Sequence, residues 1–219
     1  MTNRAPKIAA PQVRVPALGT LRDAAAPAPG EHLEGLRFTG LGPDEADLVD
    51  AELVGCEVSG WSASEVRLRG ARLTDVAISG LTAARVDLSD SAMADTRLAD
   101  SRIGACEWYD ADLRSVVISG AKLTFVNLRG SSLRDVVFRD CVFDEIDLAG
   151  ARAERVAFED CTVTGLRCEQ ARLRHVDLRG LSIGAISGLE SISGAVLGHR
   201  QVMELADQFA RHLGVVVTD

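Results

Sequence analysis

Residues 111–130 read ADLRSVVISGAKLTFVNLRG. Apolar residues come there in pairs two apart: Ala111 and Leu113, Val116 and Ile118, Ala121 and Leu123, Val126 and Leu128. The pair recurs every five residues, and apart from Val117 and Phe125 everything between is polar, charged or glycine. The pattern extends far in both directions. Numbers ending in 3 or 8, from Phe38 to Ile183, make 30 positions, of which only Pro43 is not hydrophobic. Numbers ending in 1 or 6, from Leu36 to Leu181, make another 30, with Ser91, Thr96, Ser101 and Ser131 as exceptions. Residues 36–183 hold 43 charged side chains, and none stands in either column.

Neither regular backbone has this period. An α-helix turns every ~3.6 residues, so a five-residue stripe would sweep around it. On a flat strand, residues five apart point to opposite faces. Two residues two apart do share a strand face, so each unit is locally extended and a corner must follow it. Repeated corners of one hand make a β-solenoid. The side count comes from a ten-residue alternation. Positions ending in 0 hold Gly at 40, 60, 70, 80, 120, 130, 150 and 180, and Asp at 50, 90, 100, 110, 140 and 160. Every second corner is therefore alike. That excludes a 15-residue triangular coil, and a ten-residue coil would have no interior, so the pattern predicts four sides and 20 residues per coil. Gly fits a type II corner, whose third residue needs positive φ. Thirty units make 7.5 coils, a rod of roughly 36 Å at ~4.8 Å per coil.

Ala46-Asp47-Leu48, Ala111-Asp112-Leu113 and Val126-Asn127-Leu128 resemble the A-(D/N)-L-x-x unit of pentapeptide-repeat proteins. The resemblance implies an all-β fold, a right-handed four-sided β-helix of about 30 pentapeptide units over residues 36–183. A leucine-rich repeat has a similar length, but it lacks an inward apolar pair in all four quarters of its unit.

Residues 1–35 hold five of the six prolines and read as a mobile or loosely attached arm, with a short extended piece around Val13-Arg14-Val15. Residues 184–219 read as a C-terminal cap. Val202, Leu205, Ala206, Phe209, Ala210 and Leu213 trace one face of an amphipathic helix from about Arg200, which Gly214 ends, and Val215-Val216-Val217 follows as a short strand. Val202, Leu205, Phe209 and Leu213 are the candidate surface for a lid over the last coil. The family resemblance adds pairing of two copies through this helix.

The rest of the chain narrows the function. No run approaches the ~18 apolar residues of a membrane span, and no secretory h-region follows Arg4 and Lys7. The net charge of −8 argues against direct nucleic-acid binding. Five cysteines without paired spacing fit a reducing cytoplasm, and the scarcity of lysine fits a GC-rich bacterial genome. His32, His175, His199 and His212 have no zinc-site spacing, and no phosphate-loop or nucleophile-elbow motif occurs. Cys141 and Cys161 share a column one coil apart, and both read as small buried hydrophobes, as do Cys56, Cys106 and Cys168. With a filled interior there is no pocket for chemistry, so the chain is expected to be no enzyme and to use no cofactor or metal.

Function then belongs to the outward columns. Asp87, Asp90, Asp95, Asp100, Glu107, Asp110 and Asp112 form an acidic belt with only Arg97 and Arg102 among them. Arg114, Lys122, Arg129, Arg134 and Arg139 form a basic band with only Asp135. Val117, Val137 and Ala157 share one outward column, with Phe125 and Val142 outward nearby. Val117, Phe125, Val137 and Val142 are the candidate partner surface, covered either by the arm or by another protein. The reading is a rigid protein-interaction scaffold whose partner is unknown. The alternative, implied by the resemblance, is an acidic DNA mimic that binds DNA gyrase or topoisomerase IV and protects it from fluoroquinolones. The register also makes Leu128 intolerant of a carboxylate and outward Asn127 tolerant of one.

Overall fold

The computed structural model describes residues 8–40, 42 and 45–218. Leu41, Pro43, Asp44, Asp219 and the first seven residues of the arm, with Arg4, Pro6 and Lys7, lie outside the described residues. Two parallel sheets, of 13 and 8 strands, wrap one apolar interior. Neighbouring strands along the rod are offset by 20 residues, as in Val86, Cys106, Val126, Ile146, Leu166 and Ile186. Asp112–Ser119 and Lys122–Asn127 each bend across a corner, so each sheet supplies two adjacent sides. The structure is a parallel β-solenoid of about eight turns. Pairing begins before Leu36, where His32–Glu34 meets Glu52–Val54 and Arg22–Asp23 meets Leu36–Arg37. It continues past Ile183, where Ala195–Val196 meets Val176–Asp177. The expected limits at 35 and 184 therefore fall inside the ladder.

Among the described residues, both inward columns from Leu36 to Ile183 are buried throughout except for Leu36 and Ala63, which are half-buried. The four polar exceptions satisfy themselves on the backbone. Ser91 Oγ donates to the Leu88 carbonyl (2.6 Å), Ser101 Oγ to Ala99 (2.8 Å), Thr96 Oγ1 to Ala94 (3.0 Å), and Ser131 Oγ to Leu128. A hydroxyl of this size fills the same space as Ala or Cys and leaves no orphaned donor. Phe138 stacks on Phe158 of the next coil at 4.8 Å between ring centroids and meets Phe143 edge-on.

Corners decide where the coil turns. Residues numbered in tens have positive φ as expected, at Gly40, Gly60, Gly80, Asp90, Asp110 and Gly130 among others, with Gly180 an exception. A further left-handed corner lies at Asp75, Asp95, Ser115, Asp135, Arg155 and His175, with φ between 49° and 57°. The remaining corner, at Ala105, Phe125 and Glu145, turns without positive φ. Thirteen described non-glycine residues adopt positive φ and nine are aspartate, the residue type whose short polar side chain tolerates that region best. At Gly130 a Cβ would also meet Asp110 Oδ1 of the coil before, which would have to swing aside.

The cap differs from the expected single helix. It is broken at Leu205 into α1 (His199–Glu204) and α2 (Ala206–His212), and Val215-Val216-Val217 forms no strand. Leu205 is fully buried and Phe209 packs on the core, whereas Val202 and Leu213 are exposed. Two glutamines close the open edge. Gln201 Nε2 donates to the carbonyls of Leu178 (2.7 Å) and Leu181 (2.6 Å). Gln208 Oε1 accepts from Ile186 N–H (2.8 Å) while its Nε2 donates to Gly184 (3.1 Å), as a further strand would. Their amides take over ladder positions that the chain no longer supplies.

Leu128 is 1% exposed, so Leu128→Asp is expected to cost more than about 3 kcal/mol by burying an unpaired carboxylate. Thermal and urea melts should show that loss, while Thr162→Asp, on an exposed position of the same rod, should melt like the parent.

Candidate interaction surfaces

The arm is not loose. Between Ile8 and Thr20 it has no regular secondary structure, yet it runs lengthwise along the rod. Gln12 N–H donates to Asp135 Oδ1 (2.9 Å), Arg14 N–H to Ser115 Oγ (2.8 Å) and Ala17 N–H to Asp75 Oδ1 (3.1 Å), while Ala9 N–H reaches His175 Nδ1 at 3.5 Å. All four acceptors belong to the left-handed corner at numbers 75 to 175. Two arm residues, at ~3.3 Å each, suffice to cross one coil of ~4.8 Å. Pro16 stands between the donors Arg14 and Ala17, and proline has no N–H to give. Prolines thus suit an arm that lies across a sheet face instead of joining it.

This seat explains the outward apolar column. Val137 and Ala157 point outward in register but are only 4% and 8% exposed. Ile8, Ala10 and Pro11 line one cleft with Ala157, Phe158 and Val196. The arm therefore lies against Ala157 and is held at Asp135, two residues before buried Val137, while Val117 is half-buried. The candidate partner surface divides: Val117 and Val137 lie on the arm's side, Phe125 and Val142 on the 8-stranded sheet, where Val142 is 46% exposed.

The corner that holds the arm is clamped by an ion pair. Arg155 Nε and Nη2 donate to Asp135 Oδ1 (2.6 Å) and Oδ2 (2.7 Å), and Arg155 Nη1 reaches Glu154 Oε1 at 2.7 Å. The Arg155 hydrogen bonds hold the Asp135 carboxyl below the usual range, and the Gln12 N–H adds to that effect. Comparable pairs climb the rod one coil at a time, as in Arg134–Glu154 (2.9 Å) and Arg139–Glu159 (2.6 Å). Much of the basic band is thereby neutralised by the acids of the next coil.

The acidic belt does not stay on one side. Asp87, Asp90, Glu107 and Asp110 share one side and its corner over two successive coils, where Asp87↔Glu107 are in register. Asp95 and Asp112 lie on the next side, with Asp112 paired to Arg114 at 2.9 Å. Asp100 sits at the corner ten residues from Asp90 and Asp110, diagonally across the coil. Asn127 is tied in as well, its Nδ2 donating to Glu107 Oε2 (2.7 Å). Asn127→Asp would set two carboxylates against each other, so the expected tolerance at that position does not hold.

All five cysteines are free and buried. Burial pushes the Cys106 thiol far up and that of Cys168 up to about 12, with nearby carboxylates adding to both. Cys106 and Cys168 are therefore held as neutral thiols.

Residues 96–135 and 141–180 match the family model described as Pentapeptide repeats, in 8 copies. No curated protein sequence matches the chain. Among solved structures, trypsin-treated QnrB1, a plasmid-mediated fluoroquinolone resistance protein, is 18% identical, with 94% of this chain and 99% of that one covered and a TM-score of 0.39. A second trypsin-treated QnrB1 form gives 20% identity, coverage of 90% and 95%, and a TM-score of 0.32. HetL, a pentapeptide-repeat protein involved in heterocyst differentiation regulation from the cyanobacterium Nostoc sp. strain PCC 7120, gives 16%, 77%, 90% and 0.27. At such values nothing about partners passes from those proteins to this chain.

Asp135→Asn should unseat the arm. Because the folded carboxyl lies below its ordinary value, its stabilisation is complete above ~pH 4 and is lost as pH falls through the lower folded value. The variant should melt lower than the parent at neutral pH, lose less on acidification, and be cut by trypsin after Arg14 while the rod stays intact. Equal acid sensitivity of the two would remove Asp135 from this role.

Proposed function

The chain belongs to the pentapeptide-repeat family, and we propose that it acts as a rigid, non-catalytic scaffold that presents its outer sides to a protein partner. The seated arm carries this reading. An extended segment docks on the rod by giving N–H groups to corner carboxylates and laying apolar residues over an outward apolar column. The 8-stranded sheet, with Phe125 and Val142, is the open side on which a partner can dock in the same manner. Two short helices at one end leave Met203, Leu213 and Val216 exposed, a surface suited to a second copy or to the partner's flank.

A second reading is an acidic mimic of duplex DNA directed at DNA gyrase or topoisomerase IV. One observation favours it: Asp87, Asp90, Glu107 and Asp110 lie together, and none of them forms an ion pair among the described residues. The other three belt acids, spread around the rod, weigh against a continuous stripe.

Gyrase supercoiling with added protein separates the two. The mimic reading expects inhibition or quinolone protection that fades with salt, as the Debye length shrinks from ~10 Å at 0.1 M to ~3 Å at 1 M. It also expects loss on combining Asp87→Asn, Asp90→Asn, Glu107→Gln and Asp110→Asn. The scaffold reading expects no effect on gyrase. It places partner binding, measured by cross-linking and calorimetry, under the control of Phe125→Lys and Val142→Lys instead.

A further inference from the structure

One side of the C-terminal coils carries an unusual concentration of cations. In register along the 13-stranded sheet, one outward column runs Asp112, Ser132, Arg152, Arg172, and its neighbour runs Arg114, Arg134, Glu154, Arg174. Arg114, Arg134, Arg152, Arg172 and Arg174 line a single hollow floored by Ser132 and Ala153, and Glu154 is the one carboxylate in its lining. Glu154 is already shared, with Arg134 at 2.9 Å, Arg155 at 2.7 Å and Arg174 at 3.8 Å. Arg114 is held by Asp112. Among the described residues Arg152 and Arg172 have no ion-pair partner, although they stand directly opposite one another on adjacent strands. Like charges in that position destabilise a sheet, and the chain as a whole has a net charge of −8. The ladder therefore sustains a repulsion that its own acids do not relieve.

We propose that this hollow is a binding site for a di- or triphosphate group. Planar guanidinium forks bond phosphate oxygens in pairs, and several arginines around one hollow suit an anion with several such oxygens. Arginines one coil apart, at ~4.8 Å, can each engage a successive phosphate of a short chain. The two unpaired arginines are the principal ligands, and Arg174 completes the site by exchanging its long contact with Glu154 for the anion. Ser132, the small residue beside Arg152 in the same column, leaves the room that a longer side chain would fill. The group can belong to a nucleotide or to inorganic polyphosphate, since the site recognises the phosphates.

Isothermal titration and thermal melting of the full chain with sodium triphosphate test this. Saturable binding is expected, with a raised melting temperature and an affinity that falls with salt. Combining Arg152→Gln with Arg172→Gln should weaken binding by at least about tenfold, and should raise the melting temperature without ligand because the repulsion is gone. Arg72→Gln with Arg102→Gln removes equal charge elsewhere and should leave the affinity unchanged. Tighter binding of ATP than of triphosphate would identify a nucleotide as the source, and equal binding would identify the inorganic chain. Absence of saturable binding overturns the proposal. So does an equal loss in both double variants, or tight binding of a duplex oligonucleotide where triphosphate does not bind.

Discussion

Turning the backbone through a corner every five residues is the constraint on which this molecule depends. Without those corners the inward pairs would alternate between faces, and no interior would form. Three of the four corners use positive φ, and most of the non-glycine residues placed there are aspartates. Each such corner costs conformational energy that the stacked interior must offset. Alanine, leucine, valine and isoleucine from four sides meet there, each layer packed on the one 20 residues before. The interior is thus less a core with a centre than a column of repeated contacts, in which any layer leans on two others.

The outer side of the corners acquires a use from the same geometry. A left-handed aspartate holds its carboxylate outward and away from the strand ladder, where it can receive an N–H from a passing chain. Asp75 and Asp135 do so for the arm, and Ser115 serves in their place. Asp110 instead lies over Gly130 of the next coil. Regular turn chemistry therefore becomes a row of docking points along the rod. The pairing of Arg155 with Asp135 shows how one coil tunes the corner of its neighbour.

The five-residue period made the fold legible because burial is strictly periodic in a solenoid. Leu128 and Val126 announced their orientation as clearly as any measured exposure. The arm was not legible, since its hydrogen bonds come from backbone N–H groups that are the same for every residue, and its partners lie 58 to 166 residues away in the chain. The sequence therefore shows that the column of Val137 needs a cover but leaves two candidates for it, the arm and another protein. The left-handed corner at 75 to 175 was missed because serine, arginine and histidine share it with aspartate, masking its period. The cap was half-read: Leu205 and Phe209 follow the apolar pattern, while Gln201 and Gln208, which complete the edge, are polar and invisible to it. The acidic belt was legible as composition but not as shape, because Asp100 and Asp110 are close in sequence and diagonally opposed in the coil.

Removal of one whole coil tests the register most directly. Deleting Val76–Asp95, a stretch of 20 residues, joins Asp75 to Thr96 and leaves every inward pair and every corner in phase. Circular dichroism, melting and small-angle scattering should then show a cooperative parallel-β rod shortened by about 4.8 Å. Deleting Val76–Ala94 instead, one residue fewer, should turn each later pair outward and abolish the cooperative transition. A rod that survives the second deletion as well as the first, or unfolds with the first, would contradict the four-sided coil.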